Sequence, residues 1–428
     1  MPHQILLSPD WASAEAWLLD LLAPQICHVP LAPACVVVPA GTLVRHLEDR
    51  LLAAGVAGFF GRVFITLSDL TQEVLEESSS NERGVRIPEA LRLWSIARLV
   101  REEVPEQGPM GRVRDFPGFV AAADALIQEL QEADISPEVL AATGRSRTSP
   151  KLQELGSLYA SYGRMLRTHG WTDGVQEMRA AAAAIRASKI IPTLQPLILY
   201  GFDDFTPARL ELVRALVETH PEILFVIPFD PERREVFSST QWTVERLQAL
   251  TGAVPMALPA LPTGSSTLAS IRKQIFASVP GRVTADNTLQ VLTASGPAQM
   301  VEAIARQLRQ LRQQDPGLPW HECAVIFRAL PAYRQLIQEI FPQFGIPFQL
   351  PTGTPWRVLW VLTLLRRILE LKANGFAKDT LLDCLRSAYC RVQVGPAVLE
   401  RLASILPSHA PPKSLRPTST GWLRAWRT

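Results

Sequence analysis

Short apolar runs alternate with amphipathic stretches along much of this chain. Ile5–Leu7, Val36–Val38, Leu197–Tyr200 and Ile223–Ile227 are continuous apolar runs, and each is followed by a turn. Residues 62–76 (RVFITLSDLTQEVLE) repeat the pattern. Beyond the turns, apolar residues fall three and four apart, as in Leu210, Val213, Leu216 and Val217 after Thr206-Pro207. A short apolar run bounded by turns reads as a buried strand, and the three–four spacing reads as an amphipathic helix. Thr206 suits a helix N-cap and Pro207 the first helical position. Repeated strand–helix units predict a parallel sheet covered by helices.

From about residue 87 to 188 the period becomes purely helical. Leu91, Trp94, Ile96, Leu99 and Val100 mark one helix, Phe119, Leu126, Ile127 and Leu130 another, and Leu155, Leu158, Tyr159 and Tyr162 a third. Such a block between strands predicts an inserted helical subdomain. Residues 252–287 are rich in Pro, Gly, Ser and Thr around one short helix and read as a linker. Strands are then expected at Leu289–Leu292 and Cys323–Phe327, with a further edge at Gly345–Phe348. Helices are expected at 298–314, 332–341, 356–371 and 377–387. The expected organisation is therefore α/β with two parallel-sheet domains. The first comprises 1–78 and 191–251, with 79–190 inserted. The second begins over 288–350, and 351–428 is a helical extension with a disordered, basic, Pro-rich tail.

Composition narrows the class. The 428 residues are 47% hydrophobic and 20% charged, which is ordinary for globular domains. No apolar run approaches the length that spans a bilayer, and the N-terminus lacks a basic leader region. Cys27, Cys35, Cys323, Cys384 and Cys390 form no CxxC pair and read as core thiols of a reducing cytoplasm. The net charge of +2 announces no nucleic-acid partner by itself. Of 43 basic residues only six are lysines, and none lies in residues 1–150. Codon bias explains an arginine excess, and the guanidinium fork also suits phosphate.

The first strand–loop–helix sits where a phosphate-binding loop is expected. Such a loop needs glycines that let backbone N–H groups approach phosphate, and a lysine that reaches the terminal phosphates. Against the pattern GxxGxGKT the chain reads Ser8-Pro9-Asp10-Trp11-Ala12-Ser13-Ala14-Glu15, with neither glycine nor lysine, and with two acids that repel a triphosphate. Asp203 and Asp204 follow the Leu197–Tyr200 strand as a metal-binding pair or as an acidic turn satisfied by the next helix N-terminus. Glu370-Leu371-Lys372 imitates a nuclease ExK triplet, but it falls at a predicted helix end and reads as solvated. The seven histidines lack zinc-site spacing, and no GxSxG or GxGxxG motif follows a strand. No metal, cofactor or catalytic set is expected.

In order, these segments resemble the N-terminal part of AddB-type helicase–nuclease subunits, also called exonuclease V-type or PD-(D/E)XK nuclease-superfamily proteins. VVVPAGTLVRHL is similar to that family's motif Ia region, ITLSDL to motif Ib, LYGFDDFTPARLEL to its altered Walker B, and VIPFDPERREVF to a degenerate motif III. SGPAQMVEAIARQLRQL, AVIFRALPAYRQLIQEIF and GIPFQLPTGTPW resemble the opening of its second motor domain. The resemblance covers roughly residues 5–390. It implies two superfamily 1 helicase-like (RecA-like) domains and a DNA-repair context. It also implies a degenerate Walker A at Ser8, Ala14 and Glu15, and a degenerate Walker B at Tyr200, Gly201, Asp203 and Asp204, with Tyr200-Gly201 in place of the Asp-Glu pair. The family's nuclease and iron–sulfur cysteines lie beyond the matched stretch. DNA contacts are implied at Arg45, His46, Thr66, Ser68 and Arg328. Thr66 and Ser68 equally suit capping of the next helix.

The expected function is a catalytically inert, helicase-like subunit that binds single-stranded or end-containing DNA through its backbone and works with a helicase–nuclease partner, with no membrane contact. The alternatives are a truncated subunit acting mainly through a protein partner, a weakly active ATP-dependent nuclease or helicase component, and a small-molecule enzyme of doubly wound fold.

Overall fold

In a computed structural model, the described residues are 3–28, 34–78, 84–147, 149–261, 267–277, 281–283, 286, 288–350 and a few positions between 364 and 385. The chain divides into two compact units, Met1–Leu289 and Gln290–Thr428.

The first unit opens with β1 (His3–Ser8), α1 (Trp11–His28), β2 (Cys35–Val38), α2 (Gly41–Ala53), β3 (Phe64–Thr66) and α3 (Leu67–Glu77). Next come β4 (Val85–Arg86), α4 (Glu89–Glu103), α5 (Pro117–Glu132), α6 (Pro137–Ser146), α7 (Pro150–His169) and β5 (Trp171–Thr172). It continues with α8 (Gly174–Ile185), β6 (Leu197–Tyr200), α9 (Pro207–Thr219), β7 (Ile223–Pro228), α10 (Ser238–Thr251), β8 (Met256–Ala257) and α11 (Thr267–Gln274). Six strands form one sheet in the order β3-β2-β6-β7-β1-β8, and every pairing is parallel. β2 pairs with β6, Val36 against Ile198, so the early and late strand–helix units share one sheet as the sequence predicts.

Burial explains the uninterrupted apolar runs. Along a strand successive side chains point to opposite faces. Ile5, Val37, Leu199 and Phe225 enter a core with residues of α3, α8, α9 and α10. Their neighbours Leu6, Val36, Ile198 and Val226 enter a second core with α1 and α2. Both faces are covered, so polar residues are confined to the strand ends, as at His3, Gln4, Ser8 and Thr66. Fully burying each of these large side chains contributes about 1.5–3 kcal/mol.

Helices α4 to α7 enclose a separate core built on Ile96, Val100, Ile127, Leu158, Tyr162 and Leu166. Two features differ from the purely helical block expected over 79–190. Val85–Arg86 and Trp171–Thr172 pair as a small parallel ladder at its base. Residues 174–185 belong to the sheet's covering layer instead, because Ala181, Ala182 and Ile185 of α8 are buried in its core. Small alanines there let α8 lie close to α3 and α9. The expected linker also contributes to the sheet, since β8 pairs with β1 at Leu6–Met256 and Leu7–Ala257.

The second unit contains α12 (Pro297–Gln314) and α13 (Leu330–Gln343), packed through Val301, Ala305, Ile337, Ile340 and Phe341. The expected second parallel sheet is not observed among the described residues. Residues 289–292, 323–327 and 345–348 are not strands. Val325 and Phe327 pack toward the helices, while Ile326 is 93% and Val291 85% exposed. At 323–327 the alternation of a strand is present, but a strand also needs a hydrogen-bonding neighbour, and none is described there. The helices expected at 356–371 and 377–387, the ExK-like triplet and the basic tail lie largely outside the described residues.

Candidate functional site at the strand ends

In an open parallel sheet, ligands bind at the carboxyl ends of the strands. Most of the sequence-predicted site residues of the first unit gather at this edge. The turn after β1 is closed by its own polar groups. Ser8 is buried, and its hydroxyl donates to the Asp10 carbonyl at 2.7 Å. Asp10 Oδ1 accepts the Ser13 backbone N–H at 2.8 Å and the Ser13 hydroxyl at 3.0 Å. Ser13 Oγ in turn accepts the Leu261 N–H at 2.9 Å. Arg272 of α11 brings its guanidinium within 3.6 Å of Asp10 Oδ2. A helix N-terminus presents unpaired N–H groups and favours negative charge. At α1 that place is taken by the chain's own carboxylate, already paired with a cation.

Trp11 reaches past β7 to cover the end of β6. Its ring lies 6.1 Å from that of Tyr200, tilted by 59°. Gly201 has φ +80°, and a Cβ there would meet the six-membered ring of Trp11 at 3.0 Å. Glycine is required by both the backbone and the indole. Tyr200 is buried, and burial and the nearby Glu15 charge push its phenol well above the ordinary range.

Glu15, one turn into α1, is bound from α2. His46 Nε2 donates to Oε2 at 2.6 Å, and Arg50 Nε donates to Oε1 at 2.5 Å. Burial alone raises the Glu15 carboxyl, but these two hydrogen bonds outweigh it and hold it below its ordinary value. His46, a predicted DNA contact, is thus engaged with a predicted Walker A position. Arg50 was not singled out by sequence, although it lies four residues after His46 and so shares its helix face. Arg272, far away in the chain, carried no local signal. Ala14 is buried beneath the turn.

The remaining candidates separate. Thr66 forms a capping box with Asp69: its Oγ1 accepts the Asp69 N–H at 3.2 Å, and Asp69 Oδ2 accepts the Thr66 N–H at 2.9 Å. Ser68 and Arg45 are exposed. The N-terminus of α2 beside Arg45 has Ala40 at its cap with no side-chain bond, and Gly41 faces open space. Asp203 and Asp204 are exposed, and the Asp203 carbonyl accepts the Thr243 hydroxyl at 3.0 Å. The turn that carries them is anchored by Phe202 and Phe205, stacked 5.0 Å apart in the core. Thr206 occupies the N-cap of α9, but its hydroxyl makes no cap bond. Arg328 is exposed in the second unit. No group of three His, Cys, Asp or Glu side chains among the described residues is arranged to hold a metal ion. None of the described helices is long and apolar enough to cross a membrane.

Comparison with known proteins bears on this architecture. The family profile described as "ADDB, N-terminal" matches residues 32–260, more than half of the chain. The chain belongs to the AddB N-terminal family. It is 23% identical over 403 residues to the B subunit of the ATP-dependent helicase/deoxyribonuclease of Desulforudis audaxviator (strain MP104C), covering 88% of this chain and 34% of that protein. It is 24% identical over 420 residues to the corresponding B subunit from Moorella thermoacetica (strain ATCC 39073 / JCM 9320), covering 90% and 36%. The one from Pelotomaculum thermopropionicum (strain DSM 13744 / JCM 10971 / SI) matches at 22% over 399 residues, covering 86% and 34%. The chain spans about a third of the length of these curated relatives. Within the family match lie the β2–α2 turn, the Thr66 cap and the Tyr200–Phe205 turn; β1 and the Asp10 turn precede it.

Proposed function

We propose that this chain is the helicase-like N-terminal part of a DNA-repair helicase–nuclease subunit, one that contacts DNA backbone and a partner subunit without turning over ATP. The observation that carries this reading is the Asp10 carboxylate seated on the Ser13 N–H at the start of α1. A phosphate-binding loop leaves that place to the nucleotide. Here a β-phosphate would meet a carboxylate, with Trp11 over the adjacent glycine and Glu15 held by His46 and Arg50. Tyr200-Gly201 offers no carboxylate for a magnesium-bound water, and phosphoryl transfer depends on such charge neutralisation and positioning.

For DNA, the supporting surface is the open N-terminus of α2, where Gly41 and exposed Arg45 present backbone N–H groups and a guanidinium to a phosphate. Ser68 is a second exposed donor. Thr66, engaged in its capping box, positions α3, and His46 is held by Glu15. A partner is supported by the relatives, each of which is one subunit of a helicase/deoxyribonuclease. A docking role is favoured specifically by the second unit, in which Val291 and Ile326 are large apolar side chains left exposed. The test is phosphate release from magnesium ATP with and without single-stranded DNA. The expected rate is that of buffer alone in both cases. DNA-stimulated turnover abolished by altering Ala14 or Tyr200 overturns the reading.

A further inference from the structure

At the opposite end of the sheet, where the parallel strands begin, lies a cleft of about 930 Å³. We propose that it receives an arginine side chain presented by a protein partner. It is lined by Gln4 at the start of β1, by Trp17, Gln25 and His28 along α1, and by His220 and Glu222 between α9 and β7. Although the chain carries 43 arginines and lysines, the lining contains neither among the described residues.

Glu222 is the one carboxylate of the described lining, with His28 and His220 beside it, and His3 lies within reach of its charge. His220 is buried, with Nε2 2.6 Å from the Leu194 carbonyl oxygen and Nδ1 accepting the Glu222 N–H at 3.1 Å. Both ring nitrogens are therefore engaged by backbone groups. Glu222 Oε1 accepts the Gln4 amide at 3.2 Å, which supplies a hydrogen bond without cancelling the carboxylate. Glu222 takes part in no ion pair among the described residues. Two helices end at the cleft, α1 at His28 and α9 at Thr219. Helix C-termini carry partial negative charge and attract cations.

These features select a guanidinium over other cations. Trp17 in the lining supplies an aromatic ring for cation–π contact. The Glu222 carboxylate and the glutamine carbonyl oxygens are acceptors for a planar, five-donor fork that is more weakly hydrated than an ammonium. Leu21 and Leu224 line the same space and suit the aliphatic stem. The volume exceeds one side chain and accommodates the flanking residues of a peptide segment. This proposal is independent of the DNA reading, which concerns the other end of the strands.

The test uses the whole chain and a fluorescein-labelled pentapeptide, Ala-Gly-Arg-Gly-Ala, with lysine and citrulline counterparts, followed by fluorescence anisotropy at low salt. Citrulline keeps the shape and removes the charge. The arginine peptide is expected to bind best and the citrulline peptide to lose about tenfold or more, with a similar loss for the arginine peptide on Glu222→Gln. Glu102→Gln removes one exposed charge from α4 and controls for general electrostatics, and Trp17→Phe retains an aromatic ring while weakening the contact. Thermal unfolding followed by circular dichroism verifies that each variant is folded. Equal binding of arginine and citrulline peptides, equal effects of Glu222→Gln and Glu102→Gln, or no saturable binding up to about 1 mM overturns the proposal.

Discussion

Replacing Asp10 by alanine separates the cap from the charge at the start of α1. In the wild type the carboxylate takes the Ser13 N–H and the hydroxyl of Ser13, a residue only 3% exposed. Losing a helix N-cap costs about 1 kcal/mol, and leaving a buried donor without an acceptor costs about 1–3 kcal/mol. Ser13 Oγ keeps its bond from Leu261 in either case. The expected loss for Asp10→Ala is therefore about 2–4 kcal/mol. The Arg272 pair adds little, because that side chain is 48% exposed and the separation is 3.6 Å; a pair of this kind contributes about 0–1 kcal/mol. Asp10→Asn keeps an acceptor oxygen and should lose no more than that. Urea unfolding monitored by circular dichroism gives both values. Inorganic phosphate extends the measurement, since the alanine variant opens the α1 N-terminus to an anion. At ten times its dissociation constant, phosphate restores about 1.4 kcal/mol to Asp10→Ala. Wild type and Asp10→Asn at matched ionic strength show no such gain. A loss below about 0.5 kcal/mol, the low edge of cap effects, or equal phosphate stabilisation of all three proteins refutes the reasoning.

Three further outcomes follow. The Glu15 carboxyl is held below its ordinary value near 4.5, so the stability it contributes is complete above that pH and disappears as pH falls through the lowered folded value; the wild-type and Glu15→Gln unfolding curves should converge on acidification, and a constant difference down to pH 2 contradicts this. Asp173 is buried, caps α8 through the Gln176 N–H at 3.0 Å, and accepts from Gln131 at 2.8 Å and Tyr162 at 3.2 Å; Asp173→Ala should cost about 3–7 kcal/mol in urea unfolding, from one cap and two stranded donors. Thr66→Ala should cost about 1 kcal/mol of stability through its capping box and leave DNA affinity unchanged, and a selective loss of affinity in a fully stable protein would restore Thr66 as a DNA contact.

The main strands were readable because burial on both faces removes polar residues from them; Leu197–Tyr200 has the same limits in sequence and structure. The two-residue strands β4, β5 and β8 carry no such pattern and depend on what lies beside them. The same physics explains the difference in the second unit, where 289–292 and 323–327 have strand-like composition without a described neighbour. At the site, the sequence identified what is missing, namely glycines, lysine and the acidic pair. It did not identify what fills the space. Trp11 over Gly201 depends on a φ of +80°, and the Asp10–Arg272 contact joins residues remote in the chain. The Glu15–His46–Arg50 cluster was half legible, through the four-residue spacing on α2.

The most direct measurement is a titration of the whole chain with a fluorescent single-stranded oligonucleotide at two salt concentrations, with and without magnesium ATP, beside Arg45→Ala. Weak, sequence-independent binding that falls steeply with salt is expected, because each neutralised phosphate releases counterion. Arg45→Ala should weaken binding for every sequence and reduce the salt slope by about 1. ATP should leave every curve unchanged. A shift of the binding curve on adding magnesium ATP, or binding indifferent to both salt and Arg45, would rule out an ATP-independent contact with the DNA backbone.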